Sequence, residues 1–216
     1  TNGSNIHEDD ELSVDHRLLL HSAMPLLKSR NAGVVLAVCS LQYYCGISSV
    51  KVRSDMGKAL VRIHRDRREI QYVVLSSIRT LVAECPSAFA PFLHDFFVKA
   101  MDPPFTRLIK LDILISLALE PTAIEVVLGE LRSYVRHGDQ SFACAAVRAV
   151  GRITELARIV YDRHGVKSGN IVKERGESVR IALNCLHGLL TLTQACDNQV
   201  VVGETVMVMQ RIWQQL

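Results

Sequence analysis

Aromatic residues are scarce in this chain, 6% of 216 residues with a single Trp, so a core must be built from Leu, Ile, Val and Ala. That composition suits closely stacked helices better than a sandwich or a barrel. Long uncharged apolar runs are missing too, and no secretory pattern opens the chain, which argues against a membrane span or a signal peptide. The six cysteines form no C-x-x-C, and most lie inside helical apolar patterns, as reduced core thiols do. A disulfide scaffold is therefore not expected, and a reducing compartment is favoured. Charge of one sign is not in excess either: the net charge is +3, too small to indicate nucleic acid by itself.

The signatures of catalysis are also missing. His16 and His21 are five apart with no Glu between them, unlike H-E-x-x-H, and the remaining histidines are scattered. No Cys/His cluster has zinc spacing, no G-x-S-x-G elbow occurs, and the glycines are too dispersed to cradle a phosphate. The expectation is a non-enzyme with no cofactor and no metal.

What is present is a period. Aspartates Asp66, Asp102 and Asp139 each precede a helix-length apolar pattern at intervals of about 36 residues, and Asp197 opens another about 58 later. A looser copy begins at Arg30–Asn31. A repeat of this length marks stacked helical pairs. The spacing predicts helices over 15–29, 31–45, 54–65, 68–84, 87–99, 104–119, 122–136, 140–157, 178–193 and 199–215, with apolar residues three and four apart. No Asn-Gly or Asp-Gly turn joins two alternating runs, so strands are disfavoured. The predicted fold is all-α, a right-handed α-α superhelix of about ten helices, HEAT/armadillo-like. Each repeated Asp reads as a helix cap that accepts from free amides.

Residues 1–14 read as an acidic disordered linker, and 15–216 as a single solenoid segment cut from a longer trunk. The excess in the last interval falls at 159–177, which holds Gly165, Gly169 and Gly176 and reads as an inserted mobile loop. Basic groups recur near the helix junctions: Arg62, Arg65, Arg67 and Arg68, then Arg107 with Lys110, then Arg132 with Arg136. In a regular stack these would line a stripe for an acidic partner or anionic lipid. The alternative is an ordinary solvated face, interrupted by Asp66, Glu69, Asp112 and Glu130.

Particular segments resemble a family. Phe96-Phe97-Val98-Lys99-Ala100-Met101-Asp102-Pro103, followed by Ile109-Lys110-Leu111-Asp112-Ile113-Leu114 and Leu117-Ala118, is similar to the β-adaptin trunk. So is Val147-Arg148-Ala149-Val150-Gly151-Arg152. Within the β-adaptins, the branch belonging to adaptor complex 3 is resembled most. Its likeness lies in Asp15-His16-Arg17-Leu18-Leu19, Pro25 through Ala32 with Val34-Val35, Arg68 through Leu75, and Asn184 through Leu189. The likeness spans about residues 15–216; the 159–177 insertion and the acidic start depart from it.

The resemblance implies a non-catalytic large-subunit trunk in a heterotetramer with a second large subunit, a medium subunit bound through its N-terminal domain, and a small subunit. It implies recruitment by an Arf-type GTPase and peripheral attachment to Golgi, endosomal or vesicle membranes. The expected role is the coating of vesicles that sort membrane cargo toward lysosomes or vacuoles, without nucleic acid. The alternatives are a coatomer or importin-like transport solenoid, or a basic superhelix that binds anionic lipid.

Overall fold

The computed structural model describes residues 13–46, 49–66 and 69–215, with the side chains of Asp66 and Ser168 excepted. Of the acidic start assigned to a linker, residues 1–12 lie outside the described residues, whereas Ser13 and Val14 belong to the cap and first turn of a helix. Helices dominate, and no strand occurs among the described residues. The chain divides into two compact units, Thr1–Asp95 and Phe96–Leu216.

In the first unit, α1 (Val14–Ala23) is capped by Ser13, whose hydroxyl accepts from the His16 amide. Pro25 then starts a 3-10 helix, Met24–Lys28, in place of a longer α-helix. The Asn31 side chain opens α2 (Ala32–Cys45) by accepting from the Gly33 amide. Next come α3 (Val50–Asp66) and α4 (Gln71–Glu84). Their stripes bury Val35, Leu60, Val74, Leu75 and Ile78 completely, and α3 packs against both α2 and α4. The amide of Gln42, buried in α2, donates to the Leu20 carbonyl at 2.8 Å and so ties α2 to α1.

The helix expected over 87–99 is not an α-helix. Its place is taken by two 3-10 stretches, Pro86–Ala88 and Ala90–Phe96, with Phe92 outside helical geometry (φ −110°, ψ 18°). Pro91 lacks an N–H and crowds the preceding turn, so a continuous ladder cannot form there.

The second unit holds α5 (Pro104–Leu117), α6 (Pro121–Tyr134), α7 (Gln140–Ser168), α8 (Ile171–Ala195) and α9 (Gln199–Trp213). Proline opens α5 and α6, where its missing N–H costs nothing. α7 packs against the other four helices. It can do so because Ala143, Ala146, Ala149 and Ala157 are buried beside Phe142, Val147 and Ile153, and small side chains let neighbouring backbones approach on several sides.

Residues 159–177 are not a loop. They extend α7 to Ser168 and start α8 at Ile171, so the extra length makes a helical hairpin taller. The turn is closed by Gly169, which sits at φ +73°, a left-handed conformation that disfavours any side chain.

The aspartates also sort differently from a uniform capping role. Asp139 is a true cap, its carboxylate accepting from the Ser141 and Phe142 amides. Asp66 is the last residue of α3, and the N-cap position of α4 is Ile70. Beside Asp197 the cap of α9 is Asn198, which accepts from the Val200 and Val201 amides. Asp102 has another partner altogether.

Candidate functional site

The basic residues singled out by their spacing fall into three environments. In the first unit, Arg62 is a tether: its guanidinium donates to the carbonyls of Leu27 (2.6 Å), Lys28 (3.1 Å) and Ser29 (3.0 Å), at the end of the Met24–Lys28 turn. Those acceptors would otherwise lack helical partners. Arg65 grips Asp95 with two parallel bonds of 2.8 and 2.7 Å and lies 5.9 Å from the centre of the Phe92 ring. That fork clamps the 3-10 segment onto α3. Arg67 and Arg68 lie outside the described residues.

In the second unit the pair Arg107 and Lys110 points inward. The Lys110 side chain is 1% exposed, and its Nζ donates to the Asp102 carboxylate at 2.6 Å and to the Phe97 carbonyl at 3.2 Å. The same carboxylate oxygen accepts from the Lys99 amide at 2.8 Å. Arg107 donates to the Asp102 carbonyl at 2.7 Å and lies 3.7 Å from the Asp139 carboxylate. Above them the Tyr134 hydroxyl accepts from the Val98 amide at 2.6 Å.

Burial pushes the Lys110 ammonium down from its ordinary value, against the pull of Asp102. Burial likewise pushes the Tyr134 phenol up. This is a structural knot that holds the 97–103 segment, so Lys110 is removed from the proposed surface stripe. Its two ends, Asp102 of Asp-Pro and Lys110 of Lys-Leu-Asp-Ile, are the residues that carried the β-adaptin resemblance.

Arg132 and Arg136 remain. Both are exposed, Arg132 in the last turn of α6 and Arg136 in the turn that follows the helix, where the expected helix over 122–136 has already ended. Among the described members of the expected stripe, these two are exposed and do not tether another segment.

Sequence reasoning overlooked a different kind of surface. Helices α8 and α9 leave Leu183, Leu190, Val200, Val206, Met207 and Trp213 exposed. The expected core stripes of these helices include Leu183, Leu190, Val206 and Trp213, yet each helix uses only part of its apolar face against α7.

Among the described residues no group of three or more His, Cys, Asp or Glu could hold a metal ion. None of the helices in that set is long and apolar enough to cross a membrane. A cavity of about 50 Å³ in the first unit lies among Gln42, Tyr43, Met56, Leu81, Glu84 and Phe89, with the Tyr43 hydroxyl bonded to Glu84 at its edge. That volume suits a few waters and is well short of a drug-sized or cofactor-sized ligand.

Comparison with known proteins agrees with this architecture. The adaptin N terminal region, as a family, matches residues 4–215. The β subunit of the AP-3 complex from Dictyostelium discoideum is 38% identical over 205 residues, covering 95% of this chain and 16% of its own length. AP-3 complex subunit β-1 from Mus musculus is 36% identical (93% of this chain, 16% of the relative), and that from Homo sapiens 34% (99% and 18%). The chain thus spans about a sixth of the length of these relatives.

A homology model of the full-length AP-3 complex in an intermediate open conformation shares the fold. It has a TM-score of 0.57 and 20% identity, over 90% of this chain and 35% of the matched one. With the match running almost end to end and the Asp102–Lys110 knot inside it, the chain belongs to the adaptin N-terminal-region family, among relatives that are AP-3 β subunits.

Proposed function

We propose that this chain is a non-catalytic scaffold segment of an adaptor-complex β subunit. In this reading it holds the second large subunit, the N-terminal domain of the medium subunit and the small subunit in a vesicle coat. The complex, recruited by an Arf-type GTPase, attaches peripherally to Golgi or endosomal membranes and sorts cargo toward the lysosome or vacuole. The observation that carries the reading is the adaptin match over residues 4–215, joined to a fold of paired helices that leaves apolar faces uncovered. Repetition of such pairs makes an extended surface on which large partners can be positioned.

The polar chemistry supports a scaffold over a catalyst. Arg62, Arg65, Arg107 and Lys110 bind groups of the protein itself. The same bonds weaken the rival reading of a basic stripe for anionic lipid, which required those cations to face outward together. Arg132 and Arg136 remain as the basic contact point of the scaffold reading, facing an acidic patch on a partner subunit.

The test is co-purification of the 216-residue chain with the other adaptor subunits. Recovery of the second large and medium subunits is expected. Recovery of coatomer subunits or Ran in their place would transfer the chain to another class of transport solenoid.

A further inference from the structure

The α7–α8 hairpin projects beyond the body of the second unit. Tyr161 is the last buried side chain of α7 before the turn, and Ser178 the first in α8. Between them Gly165 is the one buried residue among those described. The seven residues from Asp162 to Ser168 correspond to about 10 Å of helix, paired with the start of α8. The arm is a built structure. A Cβ on Gly165 would meet the Ile171 backbone at 2.9 Å, so the helices touch where only glycine fits. Arg175 bonds Asp162 at 3.1 Å, and His164 lies 3.2 Å from Glu174.

The ion pairs along the arm leave its tip one-sided. Residues 163–173 include Arg163, Lys167 and Lys173 but no Asp or Glu. The flanking carboxylates, Asp162 and Glu174, already face Arg175 and His164. Amid the three cations stand Val166, Ile171 and Val172, which are 70%, 45% and 88% exposed. Three exposed branched aliphatic side chains thus share the convex end of the hairpin with three exposed cations.

We propose that this tip is a membrane contact: Val166, Ile171 and Val172 enter the interface of an anionic bilayer while Arg163, Lys167 and Lys173 meet its phosphate and carboxylate headgroups. The charge selects a negative partner, and the shape selects a deformable one. A protein would have to present a cavity matched to this convex end, whereas lipid closes around it. Long Lys and Arg side chains keep their charge at headgroup level while their stems lie along the apolar residues. Each such cation near an anionic surface strengthens binding several-fold. The inference rests on the scaffold reading only for which membrane the tip meets. Vesicle binding needs no other subunit and subunit capture needs no vesicle, so the two can fail separately.

The experiment is vesicle flotation of the 216-residue chain with phosphatidylcholine alone and with phosphatidylcholine containing phosphatidylserine. Binding is expected to the second only, and to weaken with salt. R163E/K167E/K173E and V166S/I171S/V172S should each reduce it by at least about tenfold with unchanged helical circular dichroism, since all six positions are exposed. In a W213F background, V172W fluorescence should be quenched by brominated acyl chains. No binding to the anionic vesicles overturns the proposal. So does an unquenched V172W, or loss in the charge variant alone, which would mean that the cations adsorb to the headgroups while the apolar side chains do not enter the interface.

Discussion

Lys110 shows how burial reassigns a residue whose type suggests the surface, and Cys39 how burial silences a thiol. An ammonium 1% exposed needs a permanent counter-charge, and Asp102 at 2.6 Å supplies it. Asp102→Asn should lower the unfolding free energy by about 3 kcal/mol, because it strands a buried charge. The double variant D102N/K110M should recover much of the loss, as urea melts would show. With K110M measured as well, a double-variant loss equal to the sum of the two single losses would mean that the pair is not coupled.

The Cys39 thiol, buried in α2, is pushed up to about 12 from 9.0 by desolvation. The unfolded thiol ionises first as pH rises, so the contribution of Cys39 to stability is complete below pH 9.0 and is lost on the way to about 12. Iodoacetamide at neutral pH should label exposed Cys45 and spare Cys39, read by mass spectrometry. The alkaline fall in stability should be shallower in C39A. The burial of Cys39 was legible in the apolar pattern around it, whereas the inward turn of Lys110 was not. Lys110 sits at i+3 from Arg107 as a surface pair would, and only the fold of the 97–103 segment turns it inward.

At the scale of the element, most helices were legible because apolar spacing and turn residues agree. Pro104, Pro121 and Asp139 mark the starts of α5, α6 and α7 at or next to the expected positions. The failures have local physical causes. Pro91 converts an expected helix into 3-10 turns, and Gly165, Gly169 and Gly176, read as loop formers, serve a helical hairpin. Glycine at φ +73° ends a helix as readily as it loosens a loop, and sequence alone does not separate the two. Asp139→Ala should cost about 1 kcal/mol through the lost cap. Asp197→Ala, next to the cap Asn198, should stay within about 0.5 kcal/mol. Thermal melts of the two variants would distinguish a capping aspartate from an adjacent one. Gly169→Ala should cost about 1 kcal/mol by straining the left-handed turn.

For the whole molecule, the repeat of about 36 residues and the segments around Asp102-Pro103 were enough to reach the adaptin family, and the match over residues 4–215 confirms that reach. Among the described members of the expected basic stripe, Arg62 and Arg65 bind groups of their own unit, Arg107 and Lys110 turn inward, and Arg132 and Arg136 stay exposed. Under the scaffold reading, R132E/R136E should weaken capture of an acidic partner subunit about tenfold or less, mainly by slowing association, with a reduced salt dependence. Reversal of two exposed charges should leave the melting curve nearly unchanged. Capture that is indifferent to the double reversal would leave the apolar faces of α8 and α9 as the surface to examine next.

The sequence by itself determined the all-helical class, most of the helices and the family, because those follow from periodicities and motifs that are local in the chain. Which charges face outward was decided by tertiary structure alone. A Lys or Arg on a helix has the same spacing whether it meets water or a carboxylate from another turn, and only packing brings Asp102 to Lys110, Asp95 to Arg65 and the Leu27 carbonyl to Arg62.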